Sequence, residues 1–224
     1  MNYCLIPARS GSKRIKNKNI KNFFGKPVIS YSIKTALRSK LFDKVFVSTD
    51  SKKVADISKK FGAEIPFLRP KKISDDYATD SDVINHFLKY LKKNKMIINS
   101  LCYIYPVNPL LQISTLKKCK KLLEESNSKK VITVGRFSYP IDRALKLDKN
   151  RFVNFRNKKY KKKRSQDLGT YYHDTAQCYW INLKKKTNNK TKALVLKKFQ
   201  FLDVDNIEDF KNLEKIYQSK LHAQ

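Results

Sequence analysis

Acidic residues are scarce in this chain of 224 residues: 19 Asp plus Glu stand against 50 Lys plus Arg, for a formal net charge of +31. None occurs before Asp43. A balance this basic raises the question of nucleic acid, whose backbone is bound by phosphate neutralisation. The lysines are scattered, however. The densest runs, Lys158 to Arg164 and Lys184 to Lys186 with Lys190 and Lys192, read as solvated loops. Nucleic acid is not the expected partner, and a basic nucleic-acid-binding protein stands as the alternative from another class. No apolar run approaches the ~20 residues of a membrane span, so no membrane is expected either. The start, Met1 to Pro7, lacks a basic stretch followed by a long apolar one and reads as a first strand rather than a secretory signal. Cysteine is sparse and widely spaced (Cys4, Cys102, Cys119, Cys178), without a C-x-x-C pair. That argues against zinc and dithiol chemistry and for reduced thiols in a cytoplasmic protein. Five glycines leave no G-x-G-x-x-G, and Gly25-Lys26-Pro27 lacks the upstream glycine and the Ser/Thr of a Walker loop.

What is present is an alternation of apolar strand-like runs with helical patterns. It predicts an α/β fold with a mostly parallel sheet covered on both faces. Strands are expected at Tyr3–Ala8, Lys44–Ser48, Ala63–Pro66, Leu101–Tyr105, Lys130–Gly135, Ala176–Leu183 and Phe199–Val204. A helix is expected to open at Pro27, with Val28, Ile29, Ile33, Ala36 and Leu37 inward. The next, capped by Ser51, carries Val54, Ile57 and Phe61 and stops at Gly62. Further apolar faces run through Val83 to Leu91 and Ile113 to Leu123. The last helix is capped by Asn206, with Ile207, Phe210, Leu213, Ile216 and Tyr217 inward. Arg136 to about Tyr172 is polar, basic and irregular, an excursion from the sheet with a hairpin around Arg151–Phe155. Nothing suggests a second core, so residues 1–224 read as one domain.

The turn after the first strand carries the strongest chemical signal. Arg9, Lys13, Arg14, Lys16 and Lys18 crowd around Gly11 and small serines, where open α/β sheets place ligands beyond the carboxyl ends of their strands. Small residues let backbone N–H groups approach an anion closely, and the cations suit a triphosphate. On charge alone, a basic surface turn competes with this reading. A second signal is Asp203-Val204-Asp205. At a strand end, residues i and i+2 point to one face, about 6–7 Å apart, and two such carboxylates can share a hard cation with phosphate oxygens. A solvated strand end before a helix cap is the competing reading. His86 and His222 read as structural or exposed.

The ordered set of motifs resembles the cytidylyltransferases that activate sialic-acid-like sugars. The set comprises Ile6-Pro7-Ala8-Arg9 with Gly11-Ser12-Lys13-Arg14 and Lys18-Asn19, then Gly25-Lys26-Pro27 and Val47-Ser48-Thr49-Asp50. It continues with Phe67-Leu68-Arg69-Pro70, Ser74-Asp75-Asp76 and Tyr105-Pro106-Val107-Asn108-Pro109-Leu110. Within that family it is most similar to the branch acting on pseudaminic acid, through Tyr139 to Leu145, Arg164 to Leu168, and Tyr172-His173-Asp174 with Gln177, Tyr179 and Trp180. Tyr105 and Leu111 replace the Gln and Arg usual in N-acetylneuraminate enzymes, and Thr175-Ala176 replaces the branch's usual Ala-Gly.

The resemblance implies a Rossmann-like nucleotidyltransferase that joins CMP from CTP to a nine-carbon α-keto acid sugar, with Mg2+. The sugar is pseudaminic acid, or alternatively legionaminic or N-acetylneuraminic acid. Arg9, Ser12, Lys13 and Lys18 would hold the triphosphate; Asn19 and Arg69, with Ser74 and Asp75 near the base, would hold the nucleotide. Asp203 and Asp205 would hold the metal, and Arg9, Lys18 and this pair form the catalytic set. Arg164, Ser165, Gln166, His173, Asp174 and Gln177 would meet the sugar. A homodimer formed through residues about 136–172 is also implied.

Overall fold

The computed structural model of the chain describes residues 1–184 and 187–222; Lys185 and Lys186 of the second lysine run lie outside them. In chain order the elements are β1 (Asn2–Pro7), β2 (Asn22–Phe23), β3 (Lys26–Pro27), α1 (Ile29–Ser39), β4 (Lys44–Ser48), α2 (Lys52–Lys60), α3 (Asp80–Lys93) and β5 (Ser100–Ile104). They continue with α4 (Ile113–Ser126), β6 (Lys130–Arg136), β7 (Leu145–Leu147), β8 (Val153–Phe155), β9 (Tyr172–Asn182), β10 (Thr191–Leu196) and α5 (Ile207–Leu221). Six strands form the central sheet in the order β10-β6-β9-β5-β1-β4. All are parallel except β9, which lies antiparallel between β5 and β6.

The sheet is buried on both faces, as near-continuous apolar strands require. Successive residues of β1 alternate between two cores. Cys4 and Ile6 join Ile29 and Ile33 of α1, Val54 of α2 and Leu116 of α4. Tyr3 and Leu5 join Val83, Phe87 and Leu91 of α3. A third cluster seats α5, through Phe210 and Leu213, against Ile15, Phe23 and Val204 beside the first loop. The α2 and α5 caps are built as their sequences predict: Ser51 accepts from Val54 N, and Asn206 forms a capping box with Asp209.

Several expectations are corrected. Pro27 belongs to the short β2–β3 pair, and α1 begins at Ile29. Leu37 and Ile207 lie at the edges of their apolar stripes and are exposed. Ala63–Pro66 makes only a single bridge, Phe46 to Glu64. Phe199–Val204 is not a strand: β10, absent from the sequence expectation, takes the place beside β6. The stretch after it turns at Phe199, with φ +64°, and packs by side chains instead. Its Phe201 ring lies so close over Gly135 that a Cβ there would overlap it. The excursion contains the expected hairpin, β7 with β8, between short 3-10 turns.

The pairing of β6 with β9 is interrupted between Ile132 and Val134, which face Tyr179 and Asp174 respectively. The extra residues of β9 form a bulge. Thr175 pins it, donating to the Thr133 carbonyl at 3.1 Å, and Ala176 takes a left-handed φ of +48°.

Candidate functional site

A cleft of about 440 Å³ opens at the carboxyl ends of β1 and β5. Among the expected nucleotide residues Arg9, Ser12, Lys13, Lys18, Asn19, Arg69 and Asp75 line it, together with Asp203. Local bonding shapes the first loop. Ser10 donates from its backbone N and its hydroxyl to Asp50, at 2.8 and 2.6 Å. Buried Asn19 donates to the Arg9 carbonyl at 2.8 Å. Arg9 reaches the Asp75 carbonyl at 2.6 Å and the Asp76 carboxylate at 2.7 Å, and Lys13 meets Asp76 at 2.5 Å. These hydrogen bonds from Lys13 and Arg9 hold the Asp76 carboxyl below the usual range. Asp76 thus occupies cations that an anionic ligand would otherwise meet.

The two ends of the chain meet at this loop. Lys18 Nζ donates to the Val204 carbonyl at 2.6 Å, and Arg14 pairs with Asp205 at 2.7 Å. Burial lowers the Lys18 ammonium, while Asp203 and Asp205 oppose that shift. Burial, then the neighbouring Asp205, raises the Asp203 carboxyl. Val204, between the two carboxylates in sequence, is buried in the third cluster; Asp203 lines the cleft, whereas Asp205 does not and pairs with Arg14, and the segment forms no strand. Arg69 is buried; burial lowers its guanidinium, and Nε donates to buried Ser74 at 3.1 Å.

The sugar-side residues lie elsewhere. Arg164 is exposed on the excursion and makes a two-point pair with Asp167, at 2.9 and 3.1 Å. Ser165 accepts from Arg143 at 3.3 Å, and Gln166 is exposed. None of the three lines the cleft. His173 packs between the Phe137 and Phe201 rings, with Nδ1 2.9 Å from the Asp174 carbonyl. Gln177 is buried and donates to the Gln200 carbonyl at 2.7 Å. Tyr105 lines the cleft, whereas Leu111 is buried in the core and does not.

Sequence reasoning passed over Asp50, Asp76, Asp80 and Tyr103 as site residues. Asp80 follows Thr79, whose capping box with Asp82 was readable as a helix start. Its two oxygens accept from the Tyr103 hydroxyl, at 2.6 Å, and from the Tyr105 hydroxyl. A contiguous row of side chains continues from Tyr105 to Tyr179, whose hydroxyls are 3.2 Å apart, and from Tyr179 to Asp174 at 2.6 Å.

The sequence model of a family described as Cytidylyltransferase matches residues 3–224. The chain belongs to the cytidylyltransferase family. Its relatives include the pseudaminic acid cytidylyltransferase of Campylobacter jejuni serotype O:2, 37% identical over 97% of this chain and 96% of that protein. The CMP-N,N'-diacetyllegionaminic acid synthase of Legionella pneumophila is 31% identical over 98% and 97%. Among solved structures, a CMP:2-keto-3-deoxy-manno-octonic acid synthetase complexed with CTP shares the fold, with a TM-score of 0.70 at 14% identity over 98% of this chain and 99% of that one. No helix among the described residues of this cytidylyltransferase is long and apolar enough to cross a membrane.

Whether the residues suit magnesium is a question of donor chemistry. Among the described residues no group of three or more His, Cys, Asp or Glu is placed to hold a metal. Two hard carboxylates are placed together, and burial with mutual repulsion disfavours the charged form of one of them. This pair fits a cation that takes few protein ligands and completes its shell with phosphate oxygens and water, as magnesium does.

Proposed function

We propose that the chain joins CMP from CTP to pseudaminic acid with release of pyrophosphate. The observation that carries this reading is the cation-lined cleft at the carboxyl end of β1, in a chain 37% identical to a pseudaminic acid cytidylyltransferase over nearly its full length. In the reaction the sugar's anomeric hydroxyl attacks the α-phosphorus of CTP, a new P–O bond forms, and the bond to pyrophosphate breaks. Little covalent work falls to the protein; positioning and charge neutralisation supply the catalysis. Arg9, Ser12, Lys13 and Lys18 hold the triphosphate, Arg9 and Lys13 exchanging Asp76 for phosphate oxygens. Asn19, Arg69, Ser74 and Asp75 shape the nucleotide site. Asp203 and Asp205 hold the magnesium ion. Bound there, it neutralises charge developing on the phosphates.

The whole of 1–224 acts as one cytidylyltransferase domain, and its place is the cytoplasm, where its four buried free thiols stay reduced. Arg164, Ser165, Gln166, His173, Asp174 and Gln177 form the sugar side. Because Arg164 to Gln166 stand apart from their own cleft, we assign them to the cleft of a second copy in a homodimer built on the excursion.

Pyrophosphate release from CTP, magnesium and a panel of nonulosonic acids tests the reading. Pseudaminic acid should exceed N-acetylneuraminic acid by about 100-fold in kcat/KM, the scale on which an apolar wall rejects an added hydroxyl. Equal use of both sugars would remove the branch assignment, and release with neither would remove the activity.

A further inference from the structure

The peptide unit that joins Val204 to Asp205 is held at both ends. Its carbonyl accepts from Lys18 Nζ, in the first loop, at 2.6 Å. Its N–H donates to Asp209 Oδ2, in the first turn of α5, at 2.9 Å. A peptide unit is planar, so two bonds at its opposite ends, one to a cation and one to an anion, fix its rotation about the chain. That rotation matters because the unit lies between Asp203 and Asp205 in sequence. It sets the angle at which the two carboxylates leave the backbone, in a stretch that forms no strand. The Asp205 side chain adds a third fixed point, its pair with Arg14 at 2.7 Å.

The bond from Asp205 to Asp209 is not part of ordinary helix capping. A capping box needs its third helical residue to accept from the N–H of the cap residue alone. The box of α3 goes no further: Asp82 Oδ2 accepts from the Thr79 backbone N and hydroxyl, at 2.9 and 2.7 Å. In α5, Asp209 Oδ2 accepts from Asn206 N at 3.0 Å and also from the residue before it. Asp209 is not a third metal ligand, since among the described residues no group of three such side chains is placed to hold an ion. We propose that Asp209 is a positioning residue for the magnesium carboxylates. With Lys18 it locks the Val204–Asp205 peptide, and it acts on the ion through Asp205. This rests on the proposed metal pair.

The test compares Asp209→Ala with two neighbours in the same turn. Asn206→Ala removes the other half of the capping box, and Glu208→Gln removes an exposed acid of the first turn. Manganese(II) is the probe, titrated into each protein with the free ion read by electron paramagnetic resonance, beside Tm. Partners that orient a metal's ligands carry about 10- to 100-fold in affinity, so Asp209→Ala should raise the manganese Kd about tenfold or more. Asn206→Ala should lower Tm by about 2–4 °C and leave that Kd unchanged, as should Glu208→Gln. An unchanged Kd in Asp209→Ala overturns the assignment. So does an equal loss in Asn206→Ala, which would mean fraying of α5, or in Glu208→Gln, which would mean bulk charge. Should Asp209→Ala fail to fold, Asp209→Asn keeps the shape and about half the bond strength. A rise of about threefold in its Kd then supports the assignment, and an unchanged Kd overturns it. A wild-type chain that binds no manganese would sink the metal pair itself, a different result from a wild type and an Asp209→Ala variant that bind alike.

Discussion

The first loop and the excursion are both basic, and they differ in how they are held. Between Arg9 and Lys18 the cations are tied to distant parts of the chain: Arg9 and Lys13 to Asp76, Arg14 to Asp205, Lys18 to the Val204 carbonyl. Between Arg136 and Tyr172 the side chains find partners within the excursion itself, as with Arg164 and Asp167 or Arg143 and Ser165, and Leu145, Leu147, Phe152 and Val153 are exposed. Long-range ion pairs assemble the nucleotide site within one chain. The excursion holds its side chains near home and shows apolar surface to whatever lies beyond it. A second copy is the occupant we propose, and it would complete the sugar side from outside.

The comparison breaks first at the carboxylates. Asp203→Asn or Asp205→Asn should lower kcat roughly 100- to 1000-fold, the several kcal/mol expected for a lost metal site, with an unchanged circular dichroism spectrum. Near-normal turnover at saturating magnesium would dismiss the metal pair. Subunit mixing sharpens the contrast between the regions. Arg164→Ala and Asp203→Asn should each be nearly inactive alone. Mixed in equal amounts, they should recover about a quarter of wild-type sites, because hybrid dimers keep one complete site. No recovery would place Arg164 in its own subunit's cleft or outside catalysis. A smaller effect is expected from Lys18→Ala, which should weaken CTP about tenfold or more and CMP much less, by calorimetric titration. Equal losses would move Lys18 off the triphosphate tail.

The smallest effect concerns Ala176. Its left-handed φ of +48° is one that glycine adopts without a Cβ penalty. Ala176→Gly should therefore raise stability by about 0.5–1 kcal/mol, or roughly 1–4 °C in Tm. A lower Tm would show that the bulge is not strained there.

The same two regions show what the sequence could disclose. The parallel strands and the capped helices were legible because burial imposes apolar runs and caps need particular side chains: Lys44–Ser48 forms β4 as expected, and Ser51 and Asn206 cap. The cationic loop was legible from its density of charge. β10 escaped because Thr191 to Leu196 follows and overlaps a lysine-rich stretch that reads as a loop. The antiparallel insertion of β9 left no mark, since a strand buried on both faces has the same apolar pattern in either direction. Asp80 escaped for another reason. Its importance lies in a pairing across tens of residues, with Tyr105, which no local pattern records.

The segment carrying Asp203 and Asp205 has no ladder to fix it. The tip of the Phe201 ring, set against the bare peptide at Gly135, is its clasp, and His173 packs on the same ring with centroids 5.5 Å apart. Any side chain larger than hydrogen at position 135 would unseat the ring, and a change on β6 would then be felt in the segment that carries both carboxylates.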